Sequence, residues 1–163
     1  MKDEHKHPSI AEVCEEIDRK KLILQPIFQS KYIWTLRQQR AFIRWILEGK
    51  PIPSVIFSQY DGQRCVLDGQ QRLTTIHRYR NGKFSVDDKY YNDLSEDMKI
   101  DFSDFNIAVQ EFVLEDGDDD CDVINTFSIL NAGQQVPRAM RSGLASMVPT
   151  FWGHPCKASR LKK

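Results

Sequence analysis

The chain has 163 residues, of which 40% are hydrophobic, and this size and composition suit one domain with a buried core. Lysine plus arginine and aspartate plus glutamate number 23 each, so a globally basic nucleic-acid-binding protein is disfavoured, although a local basic surface stays open. No run of about eighteen apolar residues is present, and the charged start lacks the apolar stretch of a secretory signal. We therefore expect a soluble cytoplasmic protein with no membrane partner.

The cysteines and histidines form no recognisable metal or disulfide pattern. The four cysteines are far apart and make no CxxC pair, and the four histidines make no HxxxH or HExxH pattern. Neither a disulfide framework nor a structural zinc site is indicated.

Helix and strand signals alternate along the first half of the chain. Ser9 with Glu12 forms a capping-box pattern before apolar residues at helical spacing, and Thr35 is a suitable cap for a second helix, which Gly49 ends. Two apolar runs separated by an Asp-Gly turn at 61–62 indicate a β-hairpin. The predicted elements are a helix over 9–20, a strand over 22–24, a helix over 35–48, strands over 55–59 and 64–67, and a helix over 71–79.

The second half continues this alternation. Ser95 is a suitable helix cap, and the alternation of Ile107, Val109 and Phe112 indicates a strand with one buried face. We therefore expect one α/β domain of the α+β kind over 1–148, with a small mixed sheet and flanking helices, and an irregular basic tail over 149–163. The remaining predicted elements are a helix over 95–102, a strand over 107–112, a helix over 121–131 and a last helix that ends near 147.

The most informative segment is Asp-Gly-Gln-Gln-Arg at 68–72, between a predicted strand and a predicted helix. Gly69 at such a turn lets the backbone approach a ligand, and a helix N-terminus presents unpaired amides that suit phosphate. Arg72 lies in the first helical turn, where the helix dipole disfavours a cation unless an anion is also bound. A nucleotide-phosphate site is one interpretation. The other is structural, with Asp68 as the N-cap and an ordinary ion pair to Arg72.

Four segments resemble the GmrSD restriction endonuclease N-terminal domain family, also called domain of unknown function 262. Residues 66–76, VLDGQQRLTTI, are similar to the family's DGQQR signature. Residues 26–34, 49–56 and 127–133 are similar, in the same order, to its Tyr-Trp block, its link into the first hairpin and its Asn-x-Gly turn. The resemblance spans residues 9–145 and implies a ParB/sulfiredoxin-like fold.

The resemblance also implies the binding, and often the hydrolysis, of a nucleoside triphosphate with Mg²⁺ in a restriction or phage-defence system. Asp68 and Arg72 are then the expected catalytic residues, with Asp68 also a metal ligand for Mg²⁺ and Arg72 a phosphate clamp. The expected partners are a nucleotide, DNA and a separate nuclease chain, with a homodimer as a further option. The expected nucleotide-binding residues are Gly69, Gln70, Gln71, Gln29, Lys31, Tyr32, Asn131 and Gly133.

Two departures from the family pattern concern hydrolysis. Ser30 replaces the arginine expected after Gln29, although Lys31 is adjacent, and 138–141 replaces the acid-containing helix start expected after Gly133. Nucleotide binding is therefore better supported than hydrolysis. Two rivals stay open: a non-enzymatic DNA-binding or regulatory module, and a nuclease, which the lack of clustered carboxylates and of an HNH pattern disfavours.

Aromatic and basic side chains near this segment have both structural and functional interpretations. Tyr32 is a candidate for stacking against a base or ribose, whereas Trp34 is expected in the core. Arg37, Arg40 and Arg44 share one helical face. Solvent contact is the commoner outcome for such a face, and contact with DNA phosphate is the alternative.

Overall fold

The computed structural model describes residues 2–24, 32–60 and 63–113. These residues form five β-strands, four α-helices and a short 3-10 helix. In chain order they are β1 (Lys2–Lys6), α1 (Ile10–Asp18), β2 (Leu22–Ile23), α2 (Leu36–Leu47), β3 (Val55–Tyr60), β4 (Gln63–Asp68), α3 (Gln70–Arg80), the 3-10 helix (Tyr91–Asp93), α4 (Glu96–Asp104) and β5 (Val109–Val113).

The five strands form one mixed sheet in the order β1-β5-β3-β4-β2. The β1–β5 and β3–β4 pairs are antiparallel, whereas β2–β4 and β3–β5 are parallel. The predicted hairpin supplies β3 and β4, and β3 is the central strand. The prediction of an α+β domain with a small mixed sheet is thus confirmed.

The main core lies between the helices and one face of the sheet. Ile10 of α1, Ile43 of α2 and Ile76 of α3 belong to one buried cluster with Val55 and Phe57 of β3. These are the positions that the helical and alternating apolar patterns place on one face. The largest fully buried side chains are Tyr79, Phe57, Phe102, Ile10, Leu22 and Ile43.

Strand β4 is buried on both faces. Successive side chains of a strand point to opposite sides, so Val66 faces the helices while Cys65 and Leu67 face the other way. All three are at most 2% exposed. Asp68 is therefore the last residue of a strand that is packed on both faces.

Capping boxes begin the first two helices, and the one formed by Ser9 and Glu12 was predicted from the sequence. The Ser9 side chain accepts a hydrogen bond from the Glu12 amide, and the Glu12 carboxylate accepts one from the Ser9 amide at 2.7 Å. Thr35 and Gln38 make the same reciprocal pair at the start of α2. Each box satisfies helix amides that would otherwise lack partners.

Strand β1 is the one described strand that has no counterpart in the sequence prediction. Its five residues are polar or charged, so no apolar alternation marks it. It forms because β5 offers a free edge, against which Lys2–Lys6 pairs in register. Several predictions lie outside the described residues: the hairpin turn at 61–62, the helices over 121–131 and up to 147, and the tail over 149–163.

Candidate functional site

The turn between β4 and α3 begins at a β-bulge. Ile56 of β3 pairs with Asp68, whereas the next residue, Phe57, pairs with Val66, so β4 contains one extra residue. A bulge re-aims the side chains around it and is common beside functional sites. Here it brings the last residue of β4 opposite Ile56 and sets the direction in which Asp68 leaves the sheet.

Gly69 caps α3 in the left-handed conformation, with φ of +97°. A Cβ atom at this position would lie 2.5 Å from Cγ1 and 2.9 Å from Cβ of Val55. Only glycine meets both the positive φ and this close contact with β3. The packing of the turn therefore requires the glycine, whether or not a ligand binds.

Arg72 joins α3 to the two residues that precede β3 and to the last residue of β4. Its Nη1 group donates to the carbonyl oxygens of Pro53 at 2.6 Å and Ser54 at 3.0 Å, and its Nη2 group donates to Oδ2 of Asp68 at 2.6 Å. The side chain is 14% exposed. These bonds use three of the five guanidinium N–H groups, so Arg72 holds the turn together and retains two donors.

Two polar side chains of the turn retain unused hydrogen-bonding capacity. The Asp68 side chain is 38% exposed, and Arg72 occupies Oδ2 alone. Gln70 is 8% exposed, and its side-chain amide makes no hydrogen bond within the described part of the chain. The Gln70 amide is therefore open to a further hydrogen-bond partner.

The N-terminus of α3 has no side-chain cap. The Gly69 carbonyl accepts from the Leu73 amide at 2.9 Å, and Gly69 itself supplies no side-chain cap. No acidic residue lies in that turn. The eleven-residue helix therefore presents the partial positive charge of its N-terminus beside Asp68, which is an arrangement suited to an anion.

The segment 32–34 packs against the first two turns of α3. The Oε1 atom of Gln71 accepts from the backbone amides of Ile33 at 2.9 Å and Trp34 at 3.1 Å. The Tyr32 hydroxyl lies 2.9 Å from Oγ1 of Thr75. The structure thus brings the predicted residues Tyr32 and Gln71 together, next to the Asp68 turn.

The environment of Tyr32 favours the neutral phenol. Burial raises the pKa of Tyr32, and the hydrogen bond with Thr75 and the positive charge of Arg78 oppose the shift only partly. The Arg78 guanidinium lies 5.6 Å from the centre of the Tyr32 ring. Tyr32 is therefore a neutral phenol at physiological pH.

The other aromatic and basic candidates have mainly structural contacts. Trp34 packs edge-on against Phe42, with ring centres 5.2 Å apart. Arg40 donates to the Ser85 carbonyl at 2.9 Å, and Arg44 pairs with Asp87. Arg37 is exposed.

Several site predictions receive no test from the described residues. Gln29, Lys31, Asn131 and Gly133 all lie outside them. Within 2–24, 32–60 and 63–113, no group of three or more His, Cys, Asp or Glu side chains is placed to hold a metal ion. In the same ranges no helix is both long and apolar enough to span a membrane.

A separate polar region lies at the other end of β4. The Arg64 guanidinium donates to both carboxylate oxygens of Glu111, at 2.6 and 3.0 Å, and to Glu16 at 2.6 Å. Lys6 also donates to Glu111 at 2.7 Å. Lys6, Glu16 and Arg64 line a cleft of about 540 Å³. Asp68 does not line it, so this cleft is distinct from the turn.

The fold and the turn define an α+β domain with an anion-suited helix N-terminus after its central hairpin. The family described as GmrSD restriction endonuclease, N-terminal domain, matches residues 10–129 of the chain. The chain belongs to this family, whose members are domains of GmrSD-type restriction systems. It has no significant match among curated proteins or among solved structures.

Two residues beside the site were missed from the sequence, Gln39 and Thr75. Gln39 donates through Nε2 to the Trp34 carbonyl at 2.9 Å, and Thr75 is fully buried beside Tyr32. Gln39 was detectable in principle, because it shares the buried face of α2 with Ile43 and Ile46. A polar residue on an apolar helical face indicates a specific hydrogen bond.

Proposed function

We propose that the turn between β4 and α3 binds the phosphate groups of a nucleoside triphosphate together with Mg²⁺. The chain then acts as a nucleotide-dependent regulatory domain of a GmrSD-type restriction system, a role that its family membership supports. One observation carries the proposal: the uncapped N-terminus of α3 lies directly beside the partly exposed carboxylate of Asp68. A bound phosphate also explains why Arg72 is tolerated in the first helical turn.

The residues of the turn fit complementary parts of such a ligand. The positive end of the α3 dipole and the two remaining N–H groups of Arg72 suit phosphate oxygens. Mg²⁺ is usually held by one or two carboxylates together with the phosphates, so the unused oxygen of Asp68 suffices as the protein ligand. The ion would supply charge neutralisation of the phosphates. Gln70 offers an amide donor and acceptor that make no hydrogen bond to the residues the structure describes.

Hydrolysis of the nucleotide is a further proposal. In it, Asp68 also orients the attacking water, and the helix amides with Arg72 stabilise charge that develops on the transferred phosphoryl group. Binding does not require this step, so the two are tested separately.

The first experiment measures thermal stability with each of four nucleoside triphosphates plus Mg²⁺. A ligand at a hundred times its dissociation constant should stabilise the native state by about 2.7 kcal/mol, which is a clear melting shift. Asp68→Asn and Gln70→Ala should lose the shift. Asparagine keeps an oxygen for Arg72, so it removes the charge with little effect on the turn. Gln110→Ala, on β5, is the matched control and should keep the shift.

An Arg72→Ala variant is less informative by itself. It removes the bonds to Pro53, Ser54 and Asp68 as well as any phosphate contact, so its own melting temperature must be compared first. If the folded wild-type chain shows no shift with any of the four nucleotides, the proposal is wrong. If a shift occurs, release of inorganic phosphate tests hydrolysis.

A DNA-binding module without nucleotide dependence is the second candidate. The observation in its favour is that α2 and α3 contain six arginines and no acidic residue, and the two helices contact each other. The exposed arginines of α2, Arg37, Arg40 and Arg44, would bind DNA phosphates with strong salt dependence. DNA affinity that falls steeply with salt, but does not change with nucleotide, would favour this candidate over the first.

A further inference from the structure

The second glutamine of the DGQQR segment faces the protein itself. Gln71 Oε1 accepts from two consecutive backbone amides, those of Ile33 and Trp34, at 2.9 and 3.1 Å. An amide oxygen has two lone pairs, so these two bonds use its whole acceptor capacity. The side-chain oxygen of Gln71 is therefore not available to a ligand. Gln70, its neighbour, makes no comparable bond in the described residues.

Two other side chains hold the same short segment. Gln39, on α2 and 5% exposed, donates to the Trp34 carbonyl at 2.9 Å. Thr75, on α3, lies 2.9 Å from the Tyr32 hydroxyl. Segment 32–34 is thus attached to both helices through four hydrogen bonds to three residues.

The direction of the Tyr32 bond follows from counting hydrogens. Thr75 has one hydroxyl hydrogen, which it donates to the backbone carbonyl oxygen of Gln71 at 2.7 Å. Tyr32 must therefore donate to Thr75, which requires the neutral phenol. The raised pKa of Tyr32, caused mainly by burial, is consistent with that state.

Burial of apolar surface does not explain why the middle residue of this segment, Ile33, is held in place. Ile33 is 73% exposed, so its side chain gains little from the hydrophobic effect. The backbone amide of the same residue is nevertheless held by Gln71. The hydrogen bond from the Ile33 amide to Gln71 of α3 is what holds the segment at this residue.

We propose that Gln71 is a positioning residue, which holds Tyr32, Ile33 and Trp34 as one wall of the phosphate site at the Asp68 turn. This inference rests on the proposed nucleotide binding. Gln70, and not Gln71, then contacts the nucleotide through its side chain.

The test compares backbone amide exchange with nucleotide affinity. Gln71→Met keeps the length of the side chain and removes the acceptor, whereas Gln71→Glu keeps an acceptor oxygen. We expect the amides of Ile33 and Trp34 to exchange slowly in the wild type and in Gln71→Glu, and rapidly in Gln71→Met. Gln110→Met makes the same chemical change on β5 and should leave both amides protected.

Nucleotide affinity is measured for the same proteins with the four nucleoside triphosphates and Mg²⁺. Loss of a supporting side chain typically weakens a site by about tenfold or more, and we expect that loss in Gln71→Met. Gln39→Met removes another bond to the segment from a different helix and should also weaken binding. Because both act through one segment, the double variant should lose less than the product of the two single losses.

The outcomes separate positioning from direct contact. Slow amide exchange in Gln71→Met, or full affinity despite fast exchange, would overturn the positioning role. A loss in Gln71→Met together with unchanged affinity in Gln39→Met would instead indicate direct contact with the nucleotide and also overturn it. If the wild type binds none of the four nucleotides, the proposed function fails, and the positioning role for that ligand fails with it.

Discussion

At the scale of single residues, the members of the turn at 68–72 differ in how firmly the fold holds them. Gly69 is fixed by its φ of +97° and by contact with Val55, and Arg72 is fixed by three hydrogen bonds. Asp68 and Gln70 keep unused polar atoms. The DGQQR segment therefore divides into residues that build the turn and residues whose side chains keep polar atoms available to a ligand.

The Gly69→Ala variant should lose about 2–4 kcal/mol of unfolding free energy. A left-handed residue other than glycine costs about 1–2 kcal/mol, and overlap of the new Cβ with Val55 adds about 1–2 kcal/mol more. Urea unfolding followed by circular dichroism measures the change.

Gly82→Ala is the matched control for this variant. Gly82 also has a positive φ, +64°, but a Cβ there would meet nothing within 4 Å. Its cost should be the conformational term alone, about 1 kcal/mol. Equal losses in the two variants would contradict the role given to the contact with Val55.

At the scale of elements, an ion-pair network joins α1, β1, β4 and β5. The Glu111 side chain is 3% exposed and pairs with Arg64 and Lys6. Burial by itself raises the pKa of Glu111, but the hydrogen bonds from Arg64 and Lys6 outweigh burial and hold the pKa below its ordinary value of 4.5. The network is therefore charged at neutral pH and links the edge strand β1 to the sheet.

This network should make the fold sensitive to acid. Because the pKa of Glu111 is lowered in the folded state, its stabilisation is fully present above about pH 4.5 and is lost as the pH falls through the folded-state pKa. Glu111→Gln should lose about 3 kcal/mol at pH 7, since it leaves Arg64 without its buried partner. As the pH is lowered from about 4.5 to about 3, the unfolding free energy of Glu111→Gln should fall by less than that of the wild type.

Urea unfolding at several pH values measures both effects. Glu15→Gln is a suitable control, because the Glu15 side chain is 54% exposed and pairs with Arg19 on the surface. A change below about 0.5 kcal/mol is expected there. Parallel pH curves for the wild type and Glu111→Gln would argue against the network.

At the scale of the whole molecule, the sheet order predicts where the fold is most stable. Strand β3 is paired on both sides, and Val55 and Phe57 are fully buried, whereas β1 is an edge strand with mostly exposed side chains. Backbone amides of 55–58 should exchange about tenfold or more slowly than those of 2–6, because central strands open only in larger unfolding events. Native-state hydrogen exchange gives the comparison. Equal protection in β1 and β3 would show that the edge opens together with the centre.

Local signals in the sequence were sufficient to predict most of the described helices and strands. Ser9 and Thr35 marked two helix starts through their capping patterns, and the Asp-Gly turn marked the hairpin. These features are local, because caps and turns depend on residues three or four positions apart. Strand β1 lacked such a signal, since its pairing with β5 joins residues more than a hundred positions apart.

The position of the turn was predictable from the sequence, but the contacts that its residues make were not. The sequence alone determined the class of fold, the family resemblance and the position of the turn at 68–72, because periodicity and a short motif encode them. The tertiary structure decided that Gly69 packs on Val55, that Arg72 holds the start of β3, and that Gln71 holds segment 32–34. These contacts join parts of the chain between fourteen and about forty residues apart, and only the folded sheet and helices bring them within hydrogen-bond or van der Waals distance.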